Sequence, residues 1–250
     1  MLRKAGRLLS RLRRASPAAP PVIQPPRRWA DELADAGASA DDWVRRRLTR
    51  DALYVNAGGA TLDWMRREHP QLVQTTSAAA SRVLRHEFDL LGSGPYTPDD
   101  PQRPGDGPGY RAIDWYLDPV SGLRFPRGVP LGDWNFDRMR PGRADIKLPW
   151  ELARCQHWPL LGQAYQLTGD ERFALEIANE LHDFVQANPI GTAVNWTCTM
   201  DVALRAASWA IGLELVRACP ALSPEFWRDA YHALFDHGVF IEGHLENTYE

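Results

Sequence analysis

Apolar residues recur three to four positions apart over most of this chain, the period of helices that bury one face. Trp29 and Leu33, then Trp43, Val44 and Leu48, open the series. Asn56-Ala57-Gly58-Gly59 interrupts it, and Thr61-Leu62-Asp63-Trp64-Met65 restarts it, carrying a helical pattern to about Arg82. From Pro149 onward the spacing predicts four more helices. The first has Pro149 in its opening turn, packs Leu152, Cys155, Leu161, Ala164 and Leu167, and kinks at Pro159. Thr168-Gly169-Asp170-Glu171 stops it and caps the second, which packs Phe173, Ile177, Leu181 and Phe184 and ends at Asn188-Pro189. The third, from about Thr197, turns Met200, Leu204, Ala207, Ile211 and Leu215 inward. Ser223-Pro224-Glu225 opens the fourth with an N-cap and a proline at the first helical position, and Phe226, Ala230, Leu234, Ile241 and Leu245 follow.

Between the two helical stretches the texture changes. Residues 88–143 hold most of the glycine and proline, dotted with Tyr96, Tyr110, Trp115, Tyr116, Phe125, Trp134 and Phe136. So many aromatics need burial, so the segment reads as an ordered cover over the helices, with short strands or a functional loop within it. Helices of about 16–22 residues joined by short connections run antiparallel to their neighbours, as a bundle, a solenoid or a closed α/α toroid. No strict sequence period supports a solenoid. The fold class expected from the residues alone is all-α, interrupted by one long irregular aromatic-rich segment.

Composition changes this picture at the N-terminus. The net charge of −3 hides six basic residues (Arg3, Lys4, Arg7, Arg11, Arg13, Arg14) within the first 14, and the rest is clearly acidic. An acidic body does not draw in polyanions at long range, so nucleic acid is not an expected partner, and an anionic ligand would be held by a few local cations. Residues 1–27 read as a basic, Pro/Ala-rich disordered tail, and residues 28–250 as one helical domain. Residues 1–14 have weak contact with an anionic membrane surface as the alternative to a solvated tail. There is no apolar run of spanning length and no secretory h-region, which leaves a cytoplasmic location as the default. Cys155, Cys198 and Cys219 form no metal-like spacing and no disulfide framework. No cofactor or metal is called for. His237 and His244 lie seven apart, on one helical face, but lack a third ligand.

The chemistry concentrates in two polar–aromatic clusters. Asp145-Ile146-Lys147-Leu148-Pro149-Trp150-Glu151-Leu152-Ala153-Arg154 is one; Asn195-Trp196 with Met200-Asp201-Val202-Ala203-Leu204-Arg205 is the other. Tryptophan offers a flat apolar face to a sugar ring, and arginine grips carboxylates through two parallel hydrogen bonds. Glu151, Arg154 and Trp158 fall one turn apart, and Asp201, Arg205 and Trp209 repeat that arrangement. Each set is by itself equally an ordinary surface ion pair beside a core aromatic.

These segments, with Thr168-Gly169-Asp170, Asn188-Pro189, His244-Leu245-Glu246, Phe88-Asp89-Leu90-Leu91-Gly92 and Asp114-Trp115 followed by Gly122, resemble the heparinase II/III-like polysaccharide lyases over roughly residues 85–250. The resemblance implies an N-terminal α/α toroid, here incomplete, followed in the family by a β-sandwich. It also implies β-elimination on uronate-containing polysaccharide. An Asn neutralises the uronate carboxylate, while a Tyr and a His exchange protons. The family's Asn-His pair lies beyond Glu250, and Asn247 and Tyr249 do not occupy matching positions. No catalytic residue is therefore assigned, and the chain is expected to be an N-terminal part, inactive alone. Arg154, Asn195, Trp196 and Arg205 are the expected contacts to an acidic polysaccharide, with Glu151 and His244 beside them. Two rivals stand next to this reading: a non-catalytic glycan-binding domain, and an α/α-toroid glycoside hydrolase using Glu151 and Asp201 as paired carboxylates.

Overall fold

The computed structural model describes residues 28–50, 59–103, 105, 109–135, 137 and 141–245. The basic tail, the break at Asn56–Gly58, Phe136, Asn247 and Tyr249 lie outside the described residues. The fold is all-α. Four helices, α1 (Trp29–Asp35), α2 (Ala40–Thr49), α3 (Gly59–Glu68) and α4 (Pro70–Val83), precede the irregular segment. Five follow it: α5 (Lys147–Ala153), α6 (Trp158–Thr168), α7 (Arg172–Ala187), α8 (Thr199–Val216) and α9 (Pro224–Gly243). The longest are α8 and α9, and no described helix is long and apolar enough to cross a membrane.

Local signals account for several boundaries. Gly169 ends α6 in the left-handed conformation (φ 74°), and Asp170 then accepts the backbone N–H of Arg172 at 3.1 Å to begin α7. Ser223 caps α9 through the N–H of Phe226, with Pro224 in the first turn. The helix expected to run from Pro149 through Leu167 with a kink at Pro159 is instead two helices. Cys155, buried and left-handed (φ 51°), separates them, and Pro159 sits in the first turn of α6, where its missing N–H costs nothing.

Helices α6 and α8 cross tightly because both carry glycine at the contact. A Cβ on Gly162 would stand 2.5 Å from Leu215 Cβ, and one on Gly212 would stand 2.8 Å from Trp158 Cβ. The approach lets Trp158 stack on Trp209, centroids 4.9 Å apart and nearly parallel. Helices α1 and α2 lean on α9, where Trp43 meets both Trp29 and Tyr231 edge-on.

The segment between α4 and α5 is the ordered cover expected of its aromatics. Phe88, Ile113, Trp115, Tyr116 and Phe125 are buried, and a two-residue hairpin pairs β1 (Leu117–Asp118) with β2 (Leu123–Arg124). Asp183 of α7 pins this cover down. It accepts from Ile113 N (2.9 Å), Trp115 Nε1 (2.8 Å) and Arg103 Nη1 (2.6 Å), and Tyr116 Oη donates to Ala187 O at 2.7 Å. Helix α7 is therefore covered on two sides. Phe173, Ile177, Leu181 and Phe184 are buried as the periodicity predicts, and Glu176, Glu180 and Asp183 are buried as well.

Helix α8 overturns its expected orientation. Met200, Leu204, Ala207 and Ile211 face outward and Leu215 is half-buried, while Asp201, Arg205, Ser208, Trp209 and Gly212 face the interior. The apolar stripe was the wrong guide because Arg205 and one oxygen of Asp201 find partners inside the fold.

The glycine contacts make a stability test with two signs. Gly212→Ala forces a methyl against Trp158 and is expected to destabilise by about 1–2 kcal/mol despite alanine's better helix propensity. Gly238→Ala, in α9 with open space around the new methyl, is expected to stabilise by up to about 1 kcal/mol. Urea-denaturation midpoints of the two variants check both directions.

Candidate functional site

The six site residues expected from sequence all gather around the N-terminal end of α8, at two depths. Arg154, which follows the last residue of α5, bridges to Asp201 in the first turn of α8 (Nε to Oδ1, 2.6 Å) and to Glu151 one turn back. Arg154 and Glu151 are partly exposed and Asp201 is buried. The expected Asp201–Arg205 pairing within α8 does not form; Asp201 reaches across to α5 instead.

Arg205 lies behind this pair with no exposed surface. Its Nε donates to His237 Nε2 of α9 (2.8 Å), Nη2 to Asn195 O (3.1 Å) and Nη1 to Ala153 O (3.4 Å). The guanidinium also sits over the rings of Phe184 and Trp196, 4.5 and 4.9 Å from their centroids. Burial draws its pKa down to about 10, which still leaves it charged at neutral pH. Arg205 is thus a brace joining α5, α7, α8, α9 and the turn at Val194–Trp196, and no face of it is open to a substrate. Asn195 is equally interior: its Nδ2 donates to Trp115 O and Asn188 Oδ1, both at 2.9 Å. Trp196, 3% exposed, donates through Nε1 to Asn188 O and shows only an edge to a cleft of about 530 Å³ between α7 and α9. These three expected contacts hold the site's backing instead of forming its surface.

His237, which shares a helical face with His244, is buried. Its Nδ1 donates to Ala233 O (2.6 Å), so Nε2 receives the Arg205 proton and the ring must be neutral. Burial and the adjacent guanidinium hold its pKa well below the usual value. His244 is exposed at the end of α9 and stacks on Phe240 at 4.0 Å. Its Nδ1 donates to Phe240 O (2.8 Å), which leaves Nε2 as the nitrogen available for a proton. Thr199 Oγ1 donates to His244 O at 2.7 Å, tying this histidine to the start of α8.

The outer layer has a further member, Lys147. Lys147, Trp150, Glu151 and Arg154 fall at i, i+3, i+4 and i+7 along α5, and so share one helical face. Lys147 is exposed, and Trp150 is fixed by its Nε1 donating to Val194 O at 3.0 Å. The i, i+4 spacing of Lys147 and Glu151 was a sufficient signal for this face. Glu151 and Asp201, the pair a glycoside hydrolase would need, converge on the same guanidinium and do not oppose one another across a space for a sugar.

One grouping of metal-ligating side chains occurs among the described residues, at a separate place: His86, Glu176 and Glu180, all buried. The absence of any metal-ligand spacing in the sequence did not foreshadow it, because His86 comes from the end of α4, 90 residues before Glu176.

The heparinase II/III N-terminus family matches residues 43–249, and the chain belongs to that family. It is 28% identical over 101 residues to a heparin-sulfate lyase of Pedobacter heparinus, a match spanning 37% of this chain and 15% of that protein. The crystal structure of a heparan sulfate lyase HepC mutant from Pedobacter heparinus matches with a TM-score of 0.55 at 19% identity. That match covers 88% of this chain and 30% of the HepC chain, so the fold is shared while this chain spans less than a third of its neighbour's length.

The neutrality of His237 has a measurable consequence. The unfolded ring titrates near its ordinary value of about 6.5, whereas the folded ring resists protonation, so stability is lost as pH falls below that value. His86 acts in the opposite direction: burial opposes its charge, but Glu176 and Glu180 outweigh burial and raise its pKa. The comparison is therefore made between wild type and His237→Gln. The wild type is expected to lose stability faster from pH 7.5 to pH 5, by at most about 1.4 kcal/mol per pH unit. Parallel curves of denaturation free energy against pH would show that the ring takes up its proton alike in the folded and unfolded states, and would sink this reading.

Proposed function

We propose that this chain is the helical part of a lyase that cleaves uronate-containing acidic polysaccharide by β-elimination, and that the Lys147–Trp150–Arg154 face of α5 contacts the glycan. The observation that carries the reading is the construction of this face. Arg154 is oriented by carboxylates on two helices through Nε and Nη1, so its Nη2 is directed without loss of further side-chain freedom. Lys147 adds a second cation, and Trp150 adds a ring against which a pyranose can lie. β-Elimination removes the proton next to a carboxylate, and cations near that carboxylate stabilise the charge that develops on it. Membership of the heparinase II/III N-terminus family and the likeness to a heparin-sulfate lyase support an acidic glycosaminoglycan as the substrate class. Glu151, Arg154 and His244 are the surface members of the contact set. Asn195, Trp196 and Arg205 act through them by fixing the ends of α5 and α8.

The reading is tested by titrating heparan sulfate and uncharged dextran oligosaccharides into the protein and following heat. Binding is expected for the sulfated uronate polymer alone, with Lys147→Ala and Arg154→Ala each weakening it about tenfold, or about 1.4 kcal/mol. In the complete protein carrying this chain, unsaturated uronate ends are expected to accumulate. Saturable binding without unsaturated product would leave a glycan-binding domain, and equal binding of dextran would remove the site altogether.

A further inference from the structure

A second site lies on the other side of α7, under the cover. His86 Nε2 stands 2.8 Å from Glu176 Oε1, and one ligand atom from each of His86, Glu176 and Glu180 lies within 4.8 Å of the other two. His157 Nε2 and Trp158 Nε1 hold Oε2 of Glu180 at 2.6 and 2.7 Å, and so fix that carboxylate's orientation. Its other oxygen, Oε1, is completely buried and has no hydrogen-bond partner. Orphaned atoms on buried, ionisable side chains are costly unless something else satisfies them.

The backbone at the site is also unusual. His86 adopts a left-handed conformation (φ 54°) immediately after α4, which non-glycine residues avoid and which here delivers its ring to α7. The cluster is reachable. His86 and Glu176 form part of the wall of an open cleft of about 610 Å³ together with Tyr110, Arg111, Arg172 and Asn179.

We propose that His86, Glu176 and Glu180 bind one divalent first-row transition cation, of which Zn²⁺ is the representative. The donor set is one imidazole and two carboxylates, which suits such an ion better than the all-oxygen shell preferred by Ca²⁺ or Mg²⁺. Two buried carboxylates and one dication balance in charge. Ligands around one tetrahedral zinc stand about 3.3 Å apart, so His86 and Glu176 close in on the fixed Glu180 carboxylate by rotation about their own side-chain bonds. His157 and Trp158 hold Glu180 from outside the ligand shell, the support that liganding carboxylates usually receive. Water entering from the cleft completes the coordination. His86 binds through the lone pair of Nε2 with its ring proton carried on Nδ1. The ion joins the end of α4 to the middle of α7, on residues separate from the Arg154 face, so its presence does not depend on the polysaccharide reading.

The test is titration of chelator-treated protein with Zn²⁺ alone, read by calorimetry and by thermal unfolding. One equivalent is expected to bind and to raise the melting temperature. Glu180→Gln and His86→Gln, checked for native helicity by circular dichroism, are expected to weaken binding at least a hundredfold, and His232→Gln, an exposed histidine, to leave it unchanged. Co²⁺ bound to the unaltered protein is expected to give the visible spectrum of a low-coordinate nitrogen/oxygen site, a readout that survives if the variants fail to fold. No binding, binding abolished by His232→Gln and kept in His86→Gln, or a Co²⁺ spectrum of the aqueous ion would each overturn the proposal.

Discussion

Everything around the candidate glycan face depends on the burial of one charge. Arg205 has no solvent contact, yet its donors reach Ala153, Asn195 and His237, and its flat faces lie on Phe184 and Trp196. A guanidinium taken out of water is tolerated only when its surroundings replace the hydration it lost, and here four helices and a turn do so together. The same requirement fixes His237 as a neutral acceptor and sets the distance between the end of α5 and the start of α8. Arg154, Glu151 and Asp201 inherit their geometry from that spacing.

Helix α7 divides the molecule into two polar systems. Towards α8 and α9 it contributes Phe184 to the Arg205 cage. Towards the cover it contributes Glu176, Glu180 and Asp183, successive turns of one buried acidic face. Asp183 is satisfied by Arg103, Ile113 and Trp115 and fastens the cover. Glu176 and Glu180 meet histidines from the end of α4 and the start of α6. The irregular segment thus has a structural reason to be both long and aromatic-rich: it must shield charges that a simple helical layer would leave wet.

The legible parts of the sequence were those governed by neighbours along the chain. Gly169, Asp170, Ser223 and Pro224 each act within one turn, and the boundaries they predict are observed. The inward face of α7 followed its 3.6-residue period. The face of α8 did not, because apolarity favours Met200 and Leu204 while the fold supplies partners for Arg205 and for Oδ1 of Asp201. Single-residue spacing cannot report those partners, which arrive from positions 32 and 47 residues away. Asn195, Trp196 and Arg205 lie near Arg154, yet depth separates them into backing and surface.

The sequence by itself determined an all-α chain with an ordered aromatic cover, the caps that end its helices, and the two clusters that come together at the start of α8. Those features rest on local backbone preference and on the helical period, which are properties of contiguous residues. Tertiary structure alone decided which polar groups are buried, that Arg154 joins two helices while Arg205 braces five elements, and that His86 faces Glu176 and Glu180. These are matters of desolvation and of partners brought from far along the chain, and their free energy exists only once the helices have packed.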